Sequence, residues 1–234
     1  MLTPSSNTVL EPLTAAMLAG VAGVSAHFAR FRVLEIALSD SALGQFDMEP
    51  MLAAADLLAD AKVDVIVWNG TSAGWLGFDR DAALCEEITR RTGIAASTAV
   101  LALNEALGLL GAKTFGLVSP YTGDVQDRII ANYRTGGVDC VADRKLDISE
   151  NYAFATVTEA TVEAMCRDVA QARPDAIGVY CTNMRGAPVA AAVEAATGIP
   201  VLDTTATALW GALRRAGRDP SVVSGWGRLF GLSA

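Results

Sequence analysis

The chain has 234 residues, 52% of them hydrophobic and 19% charged, and its formal net charge is −8 at pH 7. This length can bury a core in one large domain or two small ones, and the composition is typical of a folded globular protein rather than a disordered one. The acidic balance excludes nucleic acid as a partner, because phosphate binding requires clustered Lys and Arg.

Several further classes are excluded by particular residue types. No apolar run approaches the ~20 residues of a membrane helix, so no membrane span is predicted. The N-terminus lacks the basic and apolar regions of a secretory signal, and the predicted location is cytoplasmic. The spacing of the four cysteines fits neither a disulfide framework nor paired metal ligands. The single histidine, His27, is predicted inside the first helix, which leaves no imidazole for a catalytic triad or a metal site.

Short runs rich in Val and Ile alternate with longer segments of helical spacing, the pattern of β-α units around a parallel sheet. In chain order, the predicted strands cover 32–38, 64–68, 114–119, 138–142, 176–180 and 201–202. The predicted helices cover 12–27, 49–61, 80–92, 100–110, 124–135, 158–172, 187–196 and 206–216.

An internal repeat divides the chain. Residues 61–72 align with residues 172–183, so that Gly70 corresponds to Cys181, and residues 98–111 align with residues 204–217. The predicted fold is therefore α/β, with two pseudo-symmetric Rossmann-like halves that each hold a parallel four-stranded sheet. One half comprises 1–110 plus 206–234, and the other comprises 111–205. The active site is predicted in the cleft between the halves, at the carboxyl ends of equivalent strands.

Cys181 lies at a predicted strand end, just before a helix. Unpaired backbone N–H groups and the helix dipole favour a thiolate there, so its pKa is expected below the ordinary value. Cys181 is thus the candidate proton donor or nucleophile, and Gly70 marks the opposing catalytic position, which has no thiol. The remaining cysteines are interpreted as small apolar fillers of the core: Cys85, Cys140 and Cys166.

Polar side chains gather in the turns at these strand ends and form a candidate cradle for carboxylate oxygens. They are Ser5, Ser6, Asn7, Thr71, Ser72, Thr182 and Asn183. Tyr121 follows the strand at 114–119 and is also expected at the cleft, while Asp124 caps the next helix. Neither a cofactor nor a metal is predicted, because no nucleotide-binding glycine motif and no acidic ligand cluster occurs.

Two family resemblances follow from these motifs. The Pro-Ser-Ser-Asn-Thr segment at 4–8, Tyr121, Asn151 and the Cys-Thr-Asn segment at 181–183 resemble maleate cis-trans isomerases. The Gly-Thr-Ser segment at 70–72 and the lone Cys181 resemble arylmalonate decarboxylases. Both families belong to the aspartate/glutamate racemase superfamily, and the resemblance runs through nearly the whole chain. It implies a cofactor-independent enzyme acting on a small carboxylate or dicarboxylate, and the family tendency implies a homo-oligomer.

The resemblance also implies roles for individual residues. Racemases and maleate isomerases of the superfamily generally use one cysteine from each half, whereas the decarboxylases use one in total. Gly70 therefore favours decarboxylation of a substituted malonate through an enediolate that Cys181 protonates. The donors to the retained carboxylate would be Thr71, Ser72, Tyr121 and the backbone around Ser72 and Thr182. The contacts to a second carboxylate, as in the isomerases, would be Asn7, Asn151 and Asn183.

Alternatives stay open at this point. A polar second pocket would suit maleate or a malonate with a short substituent, whereas apolar residues would shelter an aryl group: Leu43, Phe46, Met48 and Phe154. One rival function is an isomerase or racemase in which water or a hydroxyl replaces the absent thiol. Another is a carboxylate-binding protein that has lost catalysis. The families also have a fuller first strand than residues 1–3 provide, so this strand is expected either to be clipped or to begin upstream.

Overall fold

The computed structural model describes residues 1–233 as two parallel four-stranded sheets, with strand orders β2-β1-β3-β4 and β6-β5-β7-β8. The strands are β1 (Leu2–Pro4), β2 (Ala29–Phe31), β3 (Val65–Trp68), β4 (Ala95–Thr98), β5 (Thr114–Val118), β6 (Asp139–Arg144), β7 (Ala176–Val179) and β8 (Val201–Asp203). Because the order is the same in both halves, β3 and β7 are equivalent, as the repeat predicts. The α/β class and the pair of four-stranded parallel sheets are confirmed.

The helices lie between the strands. They are α1 (Leu10–Met17), α2 (Asp40–Leu43), α3 (Met48–Asp60), α4 (Ala73–Leu76), α5 (Phe78–Thr92), α6 (Ala99–Leu109), α7 (Gly123–Thr135), α8 (Asn151–Phe154), α9 (Glu159–Val169), α10 (Ala187–Thr197) and α11 (Thr204–Arg215). The repeat is visible in the ends of α5 and α10, where Gly93 and Gly198 adopt φ of 73° and 77°, the left-handed conformation that glycine tolerates best. No helix within residues 1–233 is both long and apolar enough to cross a bilayer.

The C-terminal helix α11 packs on the first sheet. It lies against α6, β3 and β4, and Gly211 allows the close approach, since a Cβ there would come within 2.7 Å of the Cβ of Ala102. At the edge of the same contact, Arg214 pairs with Glu105 at 2.8 Å. This packing supports the proposal that 206–234 belongs with 1–110 in one half, with 111–205 as the other.

The predicted strand at 32–38 is wrong. The strand β2 ends at Phe31, and the following segment crosses the cleft, where Glu35 forms an antiparallel bridge with Glu150 of the second half. Val33 and Ile36 are buried while Leu34 is 45% exposed. The apolar side chains of this segment therefore cover the cleft instead of alternating across a sheet.

Two other predictions in the first half differ from the structure. The first helix ends at Met17 rather than at 27, because Gly20 and Gly23 adopt φ of 84° and 70°; His27 therefore lies outside the helix. The strand β4 was not predicted, since its sequence Ala-Ala-Ser-Thr lacks the branched apolar residues that signal a strand.

The central strands of the two sheets differ in length. The strand β1 pairs with β3 only between Leu2 and Trp68, whereas β5 pairs with β7 from Phe115 to Val118. A pocket of about 430 Å³ borders Met1 and the amino-terminal side of β3. The strands β3 and β7, at whose carboxyl ends the site lies, each have four residues.

Candidate active site

Two turns, one from each half, face each other at the ends of β3 and β7. The N–H of Asn69 donates to the carbonyl of Leu2 at 3.1 Å, and that of Tyr180 donates to the carbonyl of Val118 at 2.7 Å. The first turn is thereby fixed to β1, and the second turn is fixed to β5. The hydroxyl of Thr182 donates to the carbonyl of Asn69 at 3.0 Å. This bond joins the two turns directly.

A small cavity of about 20 Å³ lies between the turns. Its walls are Pro4, Val33, Ile36, Phe46, Trp68, Gly70, Thr71, Trp75, Tyr121, Asn151, Cys181 and Thr182. The structure thus brings Gly70 and Cys181 to one cavity. A cavity of this size holds about one water molecule, so a substrate of several heavy atoms enters only when a wall moves outward.

The thiol of Cys181 is buried, with 2% of the residue exposed. Burial raises its pKa to about 12, and the charge of Asp203 acts in the same direction. The N–H of Asn183, 3.4 Å from the sulfur, and the hydroxyl of Tyr121 lower the pKa by a smaller amount. The sulfur therefore carries its proton at neutral pH.

The expectation of a lowered thiol pKa is wrong in direction. The strand β7 ends at Val179 and the next helix begins only at Ala187. Cys181 is therefore separated from the helix N-terminus by a turn, and desolvation, which disfavours the thiolate, outweighs the local donors.

Tyr121 connects Cys181 to the first half. Its hydroxyl lies 2.6 Å from the hydroxyl of Thr71 and lowers the pKa of the Cys181 thiol. Its ring packs edge to face on Trp75 and Phe154, with centroid distances of 5.4 and 5.5 Å. Burial raises the pKa of Tyr121 well above the ordinary value, so the hydroxyl stays protonated. Thr71, Tyr121 and Cys181 thus form a row of polar groups along the cavity wall.

Backbone donors accompany this row. No acceptor within residues 1–233 takes the N–H of Thr71, Ser72 or Thr182. Ser72 borders a neighbouring pocket of about 210 Å³, which also includes Asp81, rather than the central cavity. Its predicted role in substrate binding therefore depends on its backbone N–H.

Two of the asparagines assigned to a second carboxylate connect the halves. The side-chain amide of Asn7 donates to the hydroxyl of Thr182 at 3.2 Å, and its Oδ1 atom accepts the N–H groups of Val9 and Leu10 at the start of α1. Asn183 accepts the N–H of Thr8 at 3.0 Å and donates to the carbonyl of Asn151 at 2.6 Å. Neither lines the cavity, so in this closed form their amides serve the contact between the halves.

Asn151 does line the cavity. Its amide donates to the hydroxyl of Ser6 at 2.7 Å, and its N–H bonds to the carbonyl of Leu34 at 2.9 Å. Of the three asparagines, it is the one placed to contact a substrate.

Two residues at the site were missed from the sequence. Trp68 lies over Gly70, since a Cβ on Gly70 would come 2.0 Å from the Cζ2 atom of the indole. The i, i+2 spacing, which puts both residues on one face of a strand, was the available signal. Asp203 caps α11 through the N–H groups of Thr205 and Ala206 at 2.9 and 3.0 Å, and burial raises its pKa to about 7. An Asp before a helix is the usual signature of such a cap.

Comparisons with known proteins agree with this architecture. A family model described as arylmalonate decarboxylase matches residues 14–230. The arylmalonate decarboxylase of Bordetella bronchiseptica is 30% identical over 186 residues, which cover 78% of each protein. A maleate isomerase of Pseudomonas putida is 28% identical and covers 97% of this chain and 94% of the relative.

Solved structures share the fold. A maleate isomerase from Pseudomonas putida S16 with maleate superposes with a TM-score of 0.89 at 24% identity, covering 99% of this chain and 96% of the other. A Cys-to-Ser mutant of Nocardia farcinica maleate cis-trans isomerase, with a covalently bound succinylcysteine intermediate, gives 0.88 at 22% identity, with 100% and 97% covered. The resemblance found in the motifs is confirmed, and the chain belongs to the arylmalonate decarboxylase family.

Proposed function

We propose that the protein is a cofactor-independent decarboxylase of a substituted malonate, with Cys181 as the proton donor. The observation that carries the proposal is the asymmetry of the cavity. Cys181 is the one cysteine among the described residues that line it, and the equivalent position in the first half is Gly70. A single acid can protonate a planar intermediate from one side, whereas racemisation by two bases requires a proton-transferring group on each side.

The state of the thiol supports the same role. With a pKa of about 12, the sulfur holds its proton at neutral pH, as an acid must until the carbanion forms. A nucleophilic cysteine needs the thiolate instead. Burial of Cys181 therefore favours proton donation over addition of sulfur to a double bond.

In the proposed reaction, the bond between C2 of the malonate and one carboxylate breaks. The carboxylate leaves as carbon dioxide, and its electron pair passes into the retained carboxylate to give an enediolate. The proton of the Cys181 thiol then moves to C2, which yields the monocarboxylate product and a thiolate. The N–H of Asn183 and the hydroxyl of Tyr121 stabilise that thiolate, which regains a proton from water and leaves hydroxide.

The enediolate oxygens need donors that are in place before charge develops. Thr71 supplies a hydroxyl, and the unpaired N–H groups of Thr71, Ser72 and Thr182 lie in the two turns. Each such donor contributes roughly 2.7–4 kcal/mol in comparable oxyanion sites. The departing carboxylate is proposed to lie against Val33, Ile36 and Phe46, where loss of its charge relieves unfavourable desolvation.

The test is release of carbon dioxide from methylmalonate, ethylmalonate and phenylmalonate. At least one should be turned over, and in D₂O the product should gain one deuterium at C2. Cys181→Ala should lower kcat by about 10²–10⁴-fold, the usual contribution of a general acid. Cys166→Ala is the matched control, because Cys166 is equally buried but does not line the cavity. Turnover of none of the three malonates contradicts the proposal.

A maleate isomerase is the second candidate, favoured by the 28% identity to the Pseudomonas putida enzyme. The Nocardia farcinica structure carries a succinylcysteine although one cysteine is replaced by serine, so that enzyme has a further cysteine that bonds to its ligand. In this chain the cavity offers only Cys181 among the described residues. Conversion of maleate to fumarate that is lost in Cys181→Ala would favour the isomerase. Thermal stabilisation by these acids without any turnover would instead indicate a binding protein.

A further inference from the structure

Trp68 forms the part of the cavity wall where the side chain of residue 70 would otherwise lie. An ideal Cβ on Gly70 would be 2.0 Å from Cζ2 of the indole, 2.4 Å from Cε2 and 2.5 Å from Cη2. These three distances place that Cβ above the ring face rather than beyond its edge. The indole therefore lies flat against Gly70 and fills the corner opposite Cys181. Phe31 supports the indole at a centroid distance of 5.0 Å.

The equivalent corner of the second half is built the other way round. Val179 aligns with Trp68, and Cys181 aligns with Gly70. A small side chain on the strand leaves room there for the thiol two residues later. In the first half, a large side chain on the strand leaves room only for glycine.

The indole also carries a polar group with no partner. Trp68 is 1% exposed and lines the cavity, and its Nε1 atom has no acceptor within residues 1–233. A buried N–H without an acceptor is uncommon in folded proteins. Because Trp68 lines the cavity, a carboxylate oxygen of a bound substrate would supply the acceptor that this N–H lacks.

We propose that Trp68 sets the substrate class of this site: malonates with a short alkyl substituent are accepted, and malonates with an aryl substituent are excluded. This inference rests on the proposed decarboxylase function. The indole covers the substrate face opposite Cys181, leaves no room for a ring there, and donates its N–H to a carboxylate.

The experiment measures binding by calorimetry and carbon dioxide release for methylmalonate and phenylmalonate. The wild type should bind methylmalonate at least tenfold more tightly than phenylmalonate. Trp68→Val, which copies the second half, should improve phenylmalonate binding at least tenfold. Trp68→Phe, which keeps a ring but lacks the N–H, should weaken methylmalonate binding several-fold and still exclude phenylmalonate. Trp210→Phe is the matched control, because Trp210 is fully buried in α11 and does not line the cavity.

Three results would overturn the inference: no methylmalonate binding to the wild type, equal affinity of the wild type for the two malonates, or an affinity ratio that is unchanged in both Trp68→Val and Trp68→Leu. Trp68→Leu is tested alongside Trp68→Val, and a cooperative thermal transition shows which variants are folded. The proposed function fails in a different way. If only the decarboxylase proposal is wrong, the binding preference and its response to the Trp68 substitutions are still observed, but neither the wild type nor any variant releases carbon dioxide.

Discussion

The two halves of the chain end their third strands on the same backbone plan and with opposite side chains. The second half presents Val179, Tyr180 and Cys181, and the first presents Trp68, Asn69 and Gly70. Only the second corner carries a thiol, while the first carries the indole of Trp68. The duplication thus fixes where two side chains can face each other. The size of the side chain at position i decides whether position i+2 has room for more than glycine.

The residues that cap the helices α6 and α11 also differ between the two halves. Thr98 caps α6 in the first half through the N–H of Leu101 at 3.0 Å. Asp203 caps α11 in the second half, and its charge raises the pKa of Cys181. The half that carries the thiol therefore also carries an ionisable cap, which helps to keep the sulfur protonated.

The largest effect is expected from moving the thiol to the other half. Gly70→Cys combined with Cys181→Ala should be as inactive as Cys181→Ala alone, because the new Cβ would lie 2.0 Å from the indole of Trp68. Adding Trp68→Val should restore decarboxylation of 2-ethyl-2-methylmalonate and invert the configuration of the 2-methylbutanoate product, since the proton now arrives from the opposite face. Chiral gas chromatography of the product measures this.

The control for this exchange is Trp68→Val with Cys181→Ala, which has no thiol at the cavity and should stay inactive. Activity of the double variant with Trp68 intact would show that the indole does not block the corner. An unchanged configuration in the triple variant would show that residue 70 does not face the substrate.

A loss of about ten- to a hundredfold in kcat is expected for Tyr121→Phe. The substitution keeps the ring packed on Trp75 and Phe154 but removes the hydroxyl that lowers the pKa of Cys181. A hydrogen bond to a charged group contributes about 1.5–3 kcal/mol, which is the source of this range. The pKa of Cys181 should rise further, so alkylation by iodoacetamide at high pH should slow. Tyr133→Phe, another buried tyrosine outside the cavity, should change neither measurement.

The positions of the two corners could be predicted from sequence because repeat order and turn residues are local signals. Gly70, Thr71, Cys181 and Thr182 were placed at one cavity in this way. The covering of Gly70 by Trp68 could not be predicted with the same certainty, because packing in three dimensions decides which side chain fills a shared volume. Their roles in binding and catalysis stay predictions.

The pKa of Cys181 shows a second limit of sequence analysis. Position relative to strand and helix predicted a lowered value, but burial, a property of the tertiary structure, raised it. The predicted strand at 32–38 is wrong for a related reason. Val33 and Ile36 are apolar residues of a loop that covers the cleft. Where a site lies between two halves, apolar residues on loops imitate the signal of a strand.

The smallest effect is expected from the ionisable cap. Burial raises the folded-state pKa of Asp203 to about 7 from 3.8, so between these values the folded protein binds more protons than the unfolded chain, and the stability contributed by this group falls as pH rises. Asp203→Asn keeps a good helix cap and removes this titration. The free energy of unfolding of the variant relative to wild type should therefore increase from pH 4.5 to pH 8, by at least about 1 kcal/mol, because each pKa unit corresponds to ~1.36 kcal/mol.

Asp81, whose pKa burial also raises to about 7, contributes equally to both proteins and cancels in the difference. Asp175→Asn is the control and should give a flat difference over this range, since hydrogen bonds from the backbone of Lys113 and Thr114 lower that pKa below 3.8 and the carboxyl is ionised at both pH values. Urea unfolding at the two pH values measures both variants, and a flat difference for Asp203→Asn would mean that this carboxyl does not titrate between pH 4.5 and pH 8 in the folded protein, so that burial does not raise its pKa.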